Sequence, residues 1–424
     1  MSAGLTPDLG DPTVLNRLFA PAAGEPAIGL AVSGGPDSLA LLLLAQRWAA
    51  GLETPPRLIV YSLDHGLRPE AAAEVAMVLD VAQRLGIAAR ALAWAGTKPE
   101  AGLQEAARQA RYRLIGKAMA EDGATLLLTA HHRSDQAETV LMRLAHGSGI
   151  EGLKAMTRMS LVEGVRVLRP LLDVEPAALA TLVDEAGLTP ARDPSNDDAS
   201  YERVRWRQLL PTLAQEGLDS AALARFATRM AEADLALAQM ADAAFAELVT
   251  LDGFGAASVP RATFLALSPA IGRRVLGRVL NIVGGRQKPR ALGQVERLYD
   301  QIAQADLPRA ATLLGAVVRM KGAALTISRE PGRALPEDII LAPRQRLVWD
   351  QRFLITNVSD DAGMVAGATD FMPRHRLEDF LGFKVTTPAE AIRTAPLVRD
   401  AAGGVLALGG WSFDDRVKVE LLID

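Results

Sequence analysis

The sequence predicts an α/β fold: a parallel-sheet nucleotide-binding domain, then a helical domain and a small mixed or β-rich C-terminal domain. Over about the first two hundred residues, short apolar runs alternate with segments of helical period, as in βαβ units. From about Leu218 to Val283 an Ala- and Leu-rich helical period dominates. After about Leu313 the chain shows short apolar runs separated by Gly and Pro. We therefore expect domains at 1–215, 216–330 and 331–424.

The elements of the first domain alternate regularly. Strands are predicted at 27–32, 58–63, 87–94 and 124–129, and the helices that follow them at 36–50, 70–85, 101–120 and 134–146. The Asp-, Pro- and Ser-rich segment 188–196 is predicted to be a loop. The runs at 325–327 and 405–408 are typical of strands in the C-terminal part.

Composition excludes several classes of protein. The chain has 424 residues, 49% of them hydrophobic and 23% charged, which is typical of folded globular domains. It has no cysteine, which excludes disulfides, Cys-ligated zinc, iron-sulfur clusters and thiol nucleophiles. The N-terminus lacks the features of a secretory signal. The longest apolar run, Leu39–Ala50, is too short to span a bilayer, so we expect a cytoplasmic protein without a membrane partner.

Charge is unevenly distributed along the chain. The net charge is −4, yet residues 261–333 contain thirteen Lys or Arg and only four Asp or Glu. A basic segment within an acidic protein indicates a local contact with a polyanion. A solvated helical surface explains the same count, and the sequence alone does not decide between the two.

The polar motifs of the first domain follow the predicted strands. Residues 33–38 follow the first strand, Asp64 and His65 the second, and residues 131–138 the fourth. In open parallel sheets, ligands bind beyond the carboxyl ends of the strands. We therefore expect these motifs to border one nucleotide site.

The most specific motif is the segment AVSGGPDS, residues 31–38, between a strand and a helix. Its glycines permit a tight turn whose N–H groups face an anion, and proline suits the first helical turn. The Lys of GxxxxGK[ST] is absent, so this is not a Walker P-loop. The predicted phosphate-binding residues are Ser33, Gly34, Gly35, Pro36, Asp37 and Ser38.

Asp37 is the first candidate metal ligand. Its carboxylate would be repelled by a neighbouring polyphosphate unless a divalent cation lay between them, and Mg²⁺ prefers such oxygen ligands. Stabilisation of the helix N-terminus is the alternative role.

The second motif is AHHRSDQAET, residues 130–139. The helical period predicts a buried stripe, made of Ala137, Val140, Leu141 and Leu144. It leaves Asp135 and Glu138 together on another face, where they could hold Mg²⁺ or an amine, or stabilise the helix dipole. The adjacent His131 and His132 lack the HExxH spacing of a catalytic zinc site.

Two further motifs carry arginines. In LQEAARQARY, residues 103–112, Gln104, Arg108 and Arg111 share a helical face that suits phosphate or carboxylate, although a solvated face is the default reading. The fourth motif begins with DPSN at 193–196 and continues with Trp206 among the arginines Arg203, Arg205 and Arg207. That pattern suits phosphate contacts and base stacking, and a core anchor is the equal alternative role for Trp206.

These motifs together resemble the tRNA(Ile)-lysidine synthetases, members of the PP-loop ATP pyrophosphatases. SGGPDS, SLDHGLRPE, LQEAARQARY, HHRSDQAETVLMRLAHGSGIEGL, RPLL, DPSN and RVRWR occur in the order found in that family. The resemblance is strong over residues 27–211 and faint in the C-terminal part. It implies ATP-dependent ligation of free L-lysine to C2 of the wobble cytidine of tRNA(Ile) with a CAU anticodon, through an adenylated tRNA intermediate, with release of AMP and pyrophosphate.

The resemblance also implies roles for individual residues. Residues 33–38 would bind ATP, and Asp37 with Asp135 would hold Mg²⁺. Arg111, Asp135 and Glu138 would hold lysine or orient the adenylate. The other candidate substrate contacts are Arg108, His131, Arg203, Arg205 and Arg207. The helical and C-terminal domains would bind tRNA, and a homodimer is a further expectation.

Two positions depart from the family pattern. Ser134 replaces the first of two Asp, and Val204 replaces the Asn of an Arg-Asn-Arg triplet. The first lacks an acidic side chain of the family pattern, and the second lacks a polar one. Two other functions stay open: an ATP-dependent amide or ammonia ligase for a small molecule, and a noncatalytic tRNA-binding protein that retains nucleotide. Turnover of ATP and its dependence on tRNA distinguish them.

Overall fold

The computed structural model describes residues 8–96, 98–99, 102–191, 198–285, 292–332, 335–370 and 372–423. The chain forms two compact units, which divide between Asp234 and Leu235. The DPSN motif at 193–196 lies outside the described residues. The division into three domains stays a prediction. No helix among the described residues is long and apolar enough to cross a membrane.

The first unit is built on one six-stranded sheet. Its strands are β1 (Ala27–Ala31), β2 (Arg57–Asp64), β3 (Ala88–Ala93), β4 (Leu126–Leu128), β5 (Met159–Val162) and β6 (Val165–Leu168). Their order is β3-β2-β1-β4-β6-β5, and every pairing is parallel except that of β5 with β6. β2 and β3 lie on one side of β1, and the chain then crosses to β4 on the other side of β1. A crevice therefore opens between the carboxyl ends of β1 and β4.

The helices of this unit surround the sheet. They are α1 (Pro12–Phe19), α2 (Pro36–Ala50), α3 (Ala71–Arg84), α4 (Leu103–Asp122), α5 (Arg133–Ala145), α6 (Ile150–Leu153), α7 (Pro176–Glu185) and α8 (Glu202–Gln215). The predicted strands and helices of residues 27–146 are confirmed to within about three residues at each end. The β5–β6 hairpin was not predicted. Its turn, Glu163-Gly164, has positive φ at both residues, which suits a two-residue hairpin turn.

Two apolar layers hold the sheet. On one face, the leucines of α2 pack with Ile28, Leu30 and the helices α1, α3 and α7. On the other face, Tyr61 packs with Tyr112 and Ile115 of α4. Gly29 leaves room for this packing, since a Cβ there would lie 2.8 Å from a Tyr61 ring carbon.

The long helix α9 (Ser220–Leu248) is followed by a layer of helices on an antiparallel sheet. The helices are α10 (Arg261–Ala266), α11 (Pro269–Gly284) and α12 (Leu292–Ala303). The strands are β7 (Thr250–Leu251), β8 (Ala257–Pro260), β9 (Ala311–Leu313), β10 (Ala316–Lys321) and β11 (Ala324–Arg329), in the order β7-β8-β11-β10-β9. The prediction of helix throughout 218–283 was therefore wrong at β7 and β8. Burial alternates along β8, which is the period of a strand.

The C-terminal part is β-rich with two short helices, as predicted. It contains β12 (Ile339–Leu341), β13 (Arg346–Trp349), β14 (Phe353–Asn357), β15 (Met364–Ala368), α13 (Arg374–Leu381), α14 (Ala389–Thr394), β16 (Pro396–Arg399), β17 (Val405–Leu408), β18 (Trp411–Ser412) and β19 (Val417–Leu421). One sheet has the order β12-β15-β16-β17-β18 and the other β13-β14-β19. Ion pairs link this part to the sheet of β7 to β11: Arg329 contacts Asp350 at 2.9 Å, and Arg319 contacts Glu390.

Candidate functional site

The loop between β1 and α2 has the geometry of an anion site. Gly34 has φ +90°, and a Cβ there would lie 3.0 Å from the Met77 methyl carbon. The Ser38 hydroxyl donates to the Gly35 carbonyl at 2.9 Å and accepts from the Ser33 N–H at 3.2 Å. Gly35 caps α2 without a side chain, so no side chain competes with a ligand for the first N–H groups of the helix. The motif thus forms the predicted strand-loop-helix turn, with Pro36 as the first helical residue.

Asp37 and Asp135 converge on one imidazole. Asp37 lies in the first turn of α2 and Asp135 in the first turn of α5. His132 Nε2 is 3.6 Å from a carboxylate oxygen of each. The His132 N–H also donates to Asp135 Oδ2 at 3.0 Å, which fixes the start of α5. The structure therefore brings together the two carboxylates that the sequence nominated from separate motifs.

The electrostatics of Asp37, Asp135 and His132 favour a protonated imidazole beside ionised carboxylates. Burial opposes a charge on His132, but the hydrogen bond to Asp37 and the charge of Asp135 outweigh it, so its pKa is raised. Burial likewise opposes ionisation of Asp135, but His132 and nearby cations hold the pKa of that carboxyl below its ordinary value. Sequence reasoning missed His132, although its position just before the helix was a usable signal.

The same two carboxylates suit Mg²⁺. Among the described residues, no group of three or more His, Asp or Glu is arranged to hold a metal ion. Two carboxylates beside a phosphate loop are nevertheless the donor set that Mg²⁺ uses when phosphate oxygens complete its shell. The residues present therefore fit an ion shared with a bound nucleotide.

Glu138 anchors two arginines of α8. Its side chain is 0% exposed, and its oxygens lie 2.8 Å from Arg203 Nε and 2.7 Å from Arg207 Nε. Arg203 also donates to Thr139 Oγ1 at 3.2 Å, and Arg207 Nη2 lies 3.9 Å from Asp135. The arginines of the fourth motif thus meet the carboxylates of the second.

The predicted buried stripe of α5 was wrong at one end. Leu144 is 46% exposed, whereas Glu138, which the helical period had placed on the polar face, is fully buried. Ala137, Val140 and Leu141 are buried as expected. Glu138 is buried because α8 packs against α5 and supplies counter-ions for the carboxylate.

The remaining residues of the fourth motif point elsewhere. Arg205 Nη1 donates to the carbonyls of Ala199 and Ser200, at 2.9 and 2.8 Å. Trp206 packs against the apolar cluster between α5, α8 and α9, and its Nε1 donates to Glu202. Of the two roles considered for Trp206, base stacking and core packing, the structure shows core packing. Val204 is buried, which suits an apolar side chain there.

A second cluster borders β2. Arg111 Nη2 lies 3.1 Å from His65 Nε2, and Asp64 Oδ1 accepts from the Gly66 N–H at 2.6 Å. Burial, with the neighbouring Arg111, lowers the pKa of His65 to about 4, so this imidazole is neutral near pH 7. Burial also lowers the pKa of Arg111.

A third cluster lies where β4 and β6 end. His131 shares a 3.0 Å hydrogen bond between its Nδ1 and Thr129 Oγ1, and burial lowers its pKa to about 4. Arg108 lies over the Tyr112 ring, with its Cζ 5.2 Å from the centroid. Arg169, which sequence reasoning did not nominate although it begins the RPLL motif, is only 3% exposed.

With this geometry in place, comparison with known proteins identifies the family. The family model of the PP-loop domain matches residues 11–213. A tRNA(Ile)-lysidine synthase from Rhodopseudomonas palustris is 48% identical over 331 residues, which cover 76% of this chain and 95% of the relative. The chain belongs to the tRNA(Ile)-lysidine synthase family.

Other lysidine synthases extend the match. One from Bradyrhizobium diazoefficiens is 44% identical over 338 residues, covering 75% of this chain and 93% of the relative. One from Ruegeria pomeroyi is 36% identical over 350 residues, covering 82% of this chain and 81% of the relative. The similarity therefore extends beyond the PP-loop domain.

Proposed function

We infer that the protein is a ligase that uses ATP to join lysine to C2 of the wobble cytidine of tRNA(Ile) with a CAU anticodon. Membership of the lysidine synthase family and the match to the PP-loop domain support this function. The observation that carries it is the convergence of Asp37 and Asp135 on His132 beside the phosphate loop. Those groups border the place where a nucleotide phosphate would bind.

The first step activates the base. The C2 oxygen of the cytidine attacks the α-phosphorus of ATP, the bond to the β-phosphate breaks, and pyrophosphate leaves. The residues assigned to the nucleotide are Ser33, Gly34, Gly35, Pro36, Asp37 and Ser38. Their N–H groups and the α2 N-terminus would stabilise phosphate charge, while Asp64 and His65 would border the same site.

The second step forms the carbon–nitrogen bond. The ε-amine of lysine, after losing a proton, attacks C2; the C2–oxygen bond then breaks and AMP leaves. Asp135 is suited to contact the amine, because it is an ionised carboxylate at the crevice. Glu138 is buried under its arginines, and we propose that it acts through Arg203 and Arg207. Arg111 is proposed to orient the adenylate.

Arg203 and Arg207 are proposed tRNA contacts. Glu138 holds one edge of each guanidinium, while the side chains remain 42% and 45% exposed. An arginine fixed on one edge and open on the other is well placed to contact a phosphate. Arg205, Arg108 and His131 stay proposed substrate contacts.

Mg²⁺ is proposed at Asp37 and Asp135, where it would neutralise phosphate charge as pyrophosphate leaves. The homodimer, the C-terminal tRNA contacts and the cytoplasmic location likewise stay predictions.

Purified protein, ATP, labelled lysine and an unmodified tRNA(Ile) transcript with a CAU anticodon test the function. We expect lysine incorporation with matched AMP release, and neither with a wobble-mutated transcript. D37N should abolish both. AMP release independent of tRNA would instead indicate a small-molecule ligase, and tRNA binding without ATP turnover would indicate a noncatalytic binding protein.

A further inference from the structure

Arg169 is a buried guanidinium for which the described residues provide no carboxylate. Its side chain is 3% exposed. Nη1 donates to the Thr157 carbonyl at 2.9 Å and to Ser160 Oγ at 2.8 Å, whereas Nε has no hydrogen-bond partner. Burial lowers the pKa of this arginine, as expected for a cation without a compensating anion.

The groups around Arg169 add positive charge. Arg108 lies over the Tyr112 ring, and Arg169 hydrogen-bonds with the Tyr112 side chain, so the two cations adjoin the same residue. Most other charged groups of the site are already matched: Arg203 and Arg207 with Glu138, and His132 with Asp37 and Asp135. Arg111, which contacts the neutral His65, belongs to the cluster beside β2, so the unmatched positive charge beside β6 comes from Arg108 and Arg169.

The location of Arg169 points to a substrate. Arg169 follows β6, which runs parallel to β4, so it lies at the same edge of the sheet as the phosphate loop. The Thr129 N–H donates to the Leu168 carbonyl at 3.0 Å, which ties this strand end to the segment that carries His131. β6 is two strands from β1, roughly 10 Å at the usual strand spacing. An anion here would be separate from the one at the α2 N-terminus.

We propose that Arg169, assisted by Arg108, binds the α-carboxylate of the amino-acid substrate. This inference rests on the proposed function, in which free lysine is the nucleophile. A planar guanidinium with unused N–H groups matches a carboxylate. Lysine held there by its carboxylate would extend its side chain along the edge of the sheet towards Asp135 and the adenylated base. The site would thereby select an amino acid over a simple amine.

The test compares lysine with two analogues, lysinamide and 1,5-diaminopentane, which lack the carboxylate but keep the reactive amine. For the unmodified protein we expect kcat/KM to fall on the order of 10- to 100-fold for both analogues. R169Q should raise the KM for lysine by a similar factor and remove most of the discrimination against the analogues. R169K keeps the charge but loses the planar fork, so its KM for lysine should lie between those of R169Q and the unmodified protein.

Two controls separate this role from a structural one. R166Q removes an exposed arginine of the same strand, whose partner is Glu25, and should leave the KM for lysine unchanged. Formation of adenylated tRNA without lysine should survive in R169Q, with an unchanged KM for ATP, because the first step needs no amino acid.

Three outcomes would overturn the proposal. A raised KM for ATP with an unchanged KM for lysine would assign Arg169 to a phosphate. Equal use of lysine and lysinamide by the unmodified protein would exclude carboxylate recognition even if R169Q failed to fold. Slower adenylation in R169Q, with the residual activity still discriminating between lysine and its analogues, would indicate a structural arginine. If the unmodified protein incorporates no lysine at all, the proposed function fails first.

Discussion

Arg207 and Glu138 form a charge-assisted contact at 2.7 Å between an α8 guanidinium that is 45% exposed and a carboxylate that is 0% exposed. This pair joins α5, which carries Glu138, to α8, which carries Arg207. A fully buried carboxylate is stable only while its counter-ions remain.

Removal of the Glu138 charge should therefore destabilise the first unit. We expect E138Q to lower the free energy of unfolding by about 1–3 kcal/mol, less than for a fully buried pair because both arginines can hydrate. Denaturant unfolding measures this. E202Q, which removes a carboxylate of α8 paired with His146, should cost less than about 1 kcal/mol. Equal losses in the two variants would contradict the assignment.

Gly34 should tolerate no side chain. G34A combines a strained positive φ with a Cβ 3.0 Å from the Met77 methyl carbon, so we expect the KM for ATP to rise at least about 10-fold. G34A/M77A should recover part of the affinity for ATP, because it removes the contact with the Met77 methyl carbon but leaves the strained φ. Gly24 has φ +87° in open space, so G24A reports the cost of backbone strain alone. Identical ATP kinetics for G34A and G24A would exclude a special role for the loop.

His65 should make stability depend on pH. Burial and Arg111 lower its pKa from 6.5 to about 4, with Lys98 adding to the shift and Asp64 opposing it. Between these values the unfolded chain binds a proton that the folded chain does not, so stability is full above about pH 6.5 and is lost as the pH falls towards 4. H65Q should reduce the slope of unfolding free energy against pH in this window by up to one proton. An unchanged slope would show that His65 protonates in the folded protein.

Arg203 and Arg207 should contribute to the salt dependence of tRNA binding. Loss of one phosphate contact should reduce the slope of log affinity against log salt by roughly 0.7–0.9. Filter binding across a salt series of R203Q and R207Q measures it. R205Q is the comparison variant: Arg205 already donates to two carbonyls of the loop before α8, so we expect it to change the slope less than R203Q or R207Q does. A change in R205Q alone would reverse the assignment.

The basic segment 261–333 should contribute less to the salt dependence of tRNA binding than its number of Lys and Arg residues suggests. Arg273, Arg278, Arg319 and Arg329 all have carboxylate partners, among them Asp300 and Asp242. We therefore expect R278Q to change the salt slope by less than R207Q does. A larger change in R278Q would identify this segment as the principal polyanion contact.

Local signals account for what the sequence predicted well. The Gly35-Pro36 start and the leucine run of α2 are encoded within a few residues, and that helix runs from Pro36 to Ala50 as predicted. Packing between distant segments accounts for what was missed. Glu138 is buried by α8, about sixty residues later in the chain. Arg169 and His132 acquire significance only from their neighbours in space.

The ion pairs Arg319–Glu390 and Arg329–Asp350 also bear on how the chain can be shortened. A cut near residue 331, where the sequence suggests a boundary, would separate both arginines from their carboxylates and uncover the strands that carry them. The 95 or so residues beyond β11 therefore cannot be removed without disturbing that sheet. A fragment meant to isolate catalysis should end before β7 and keep only the part of α9 that packs on the first unit.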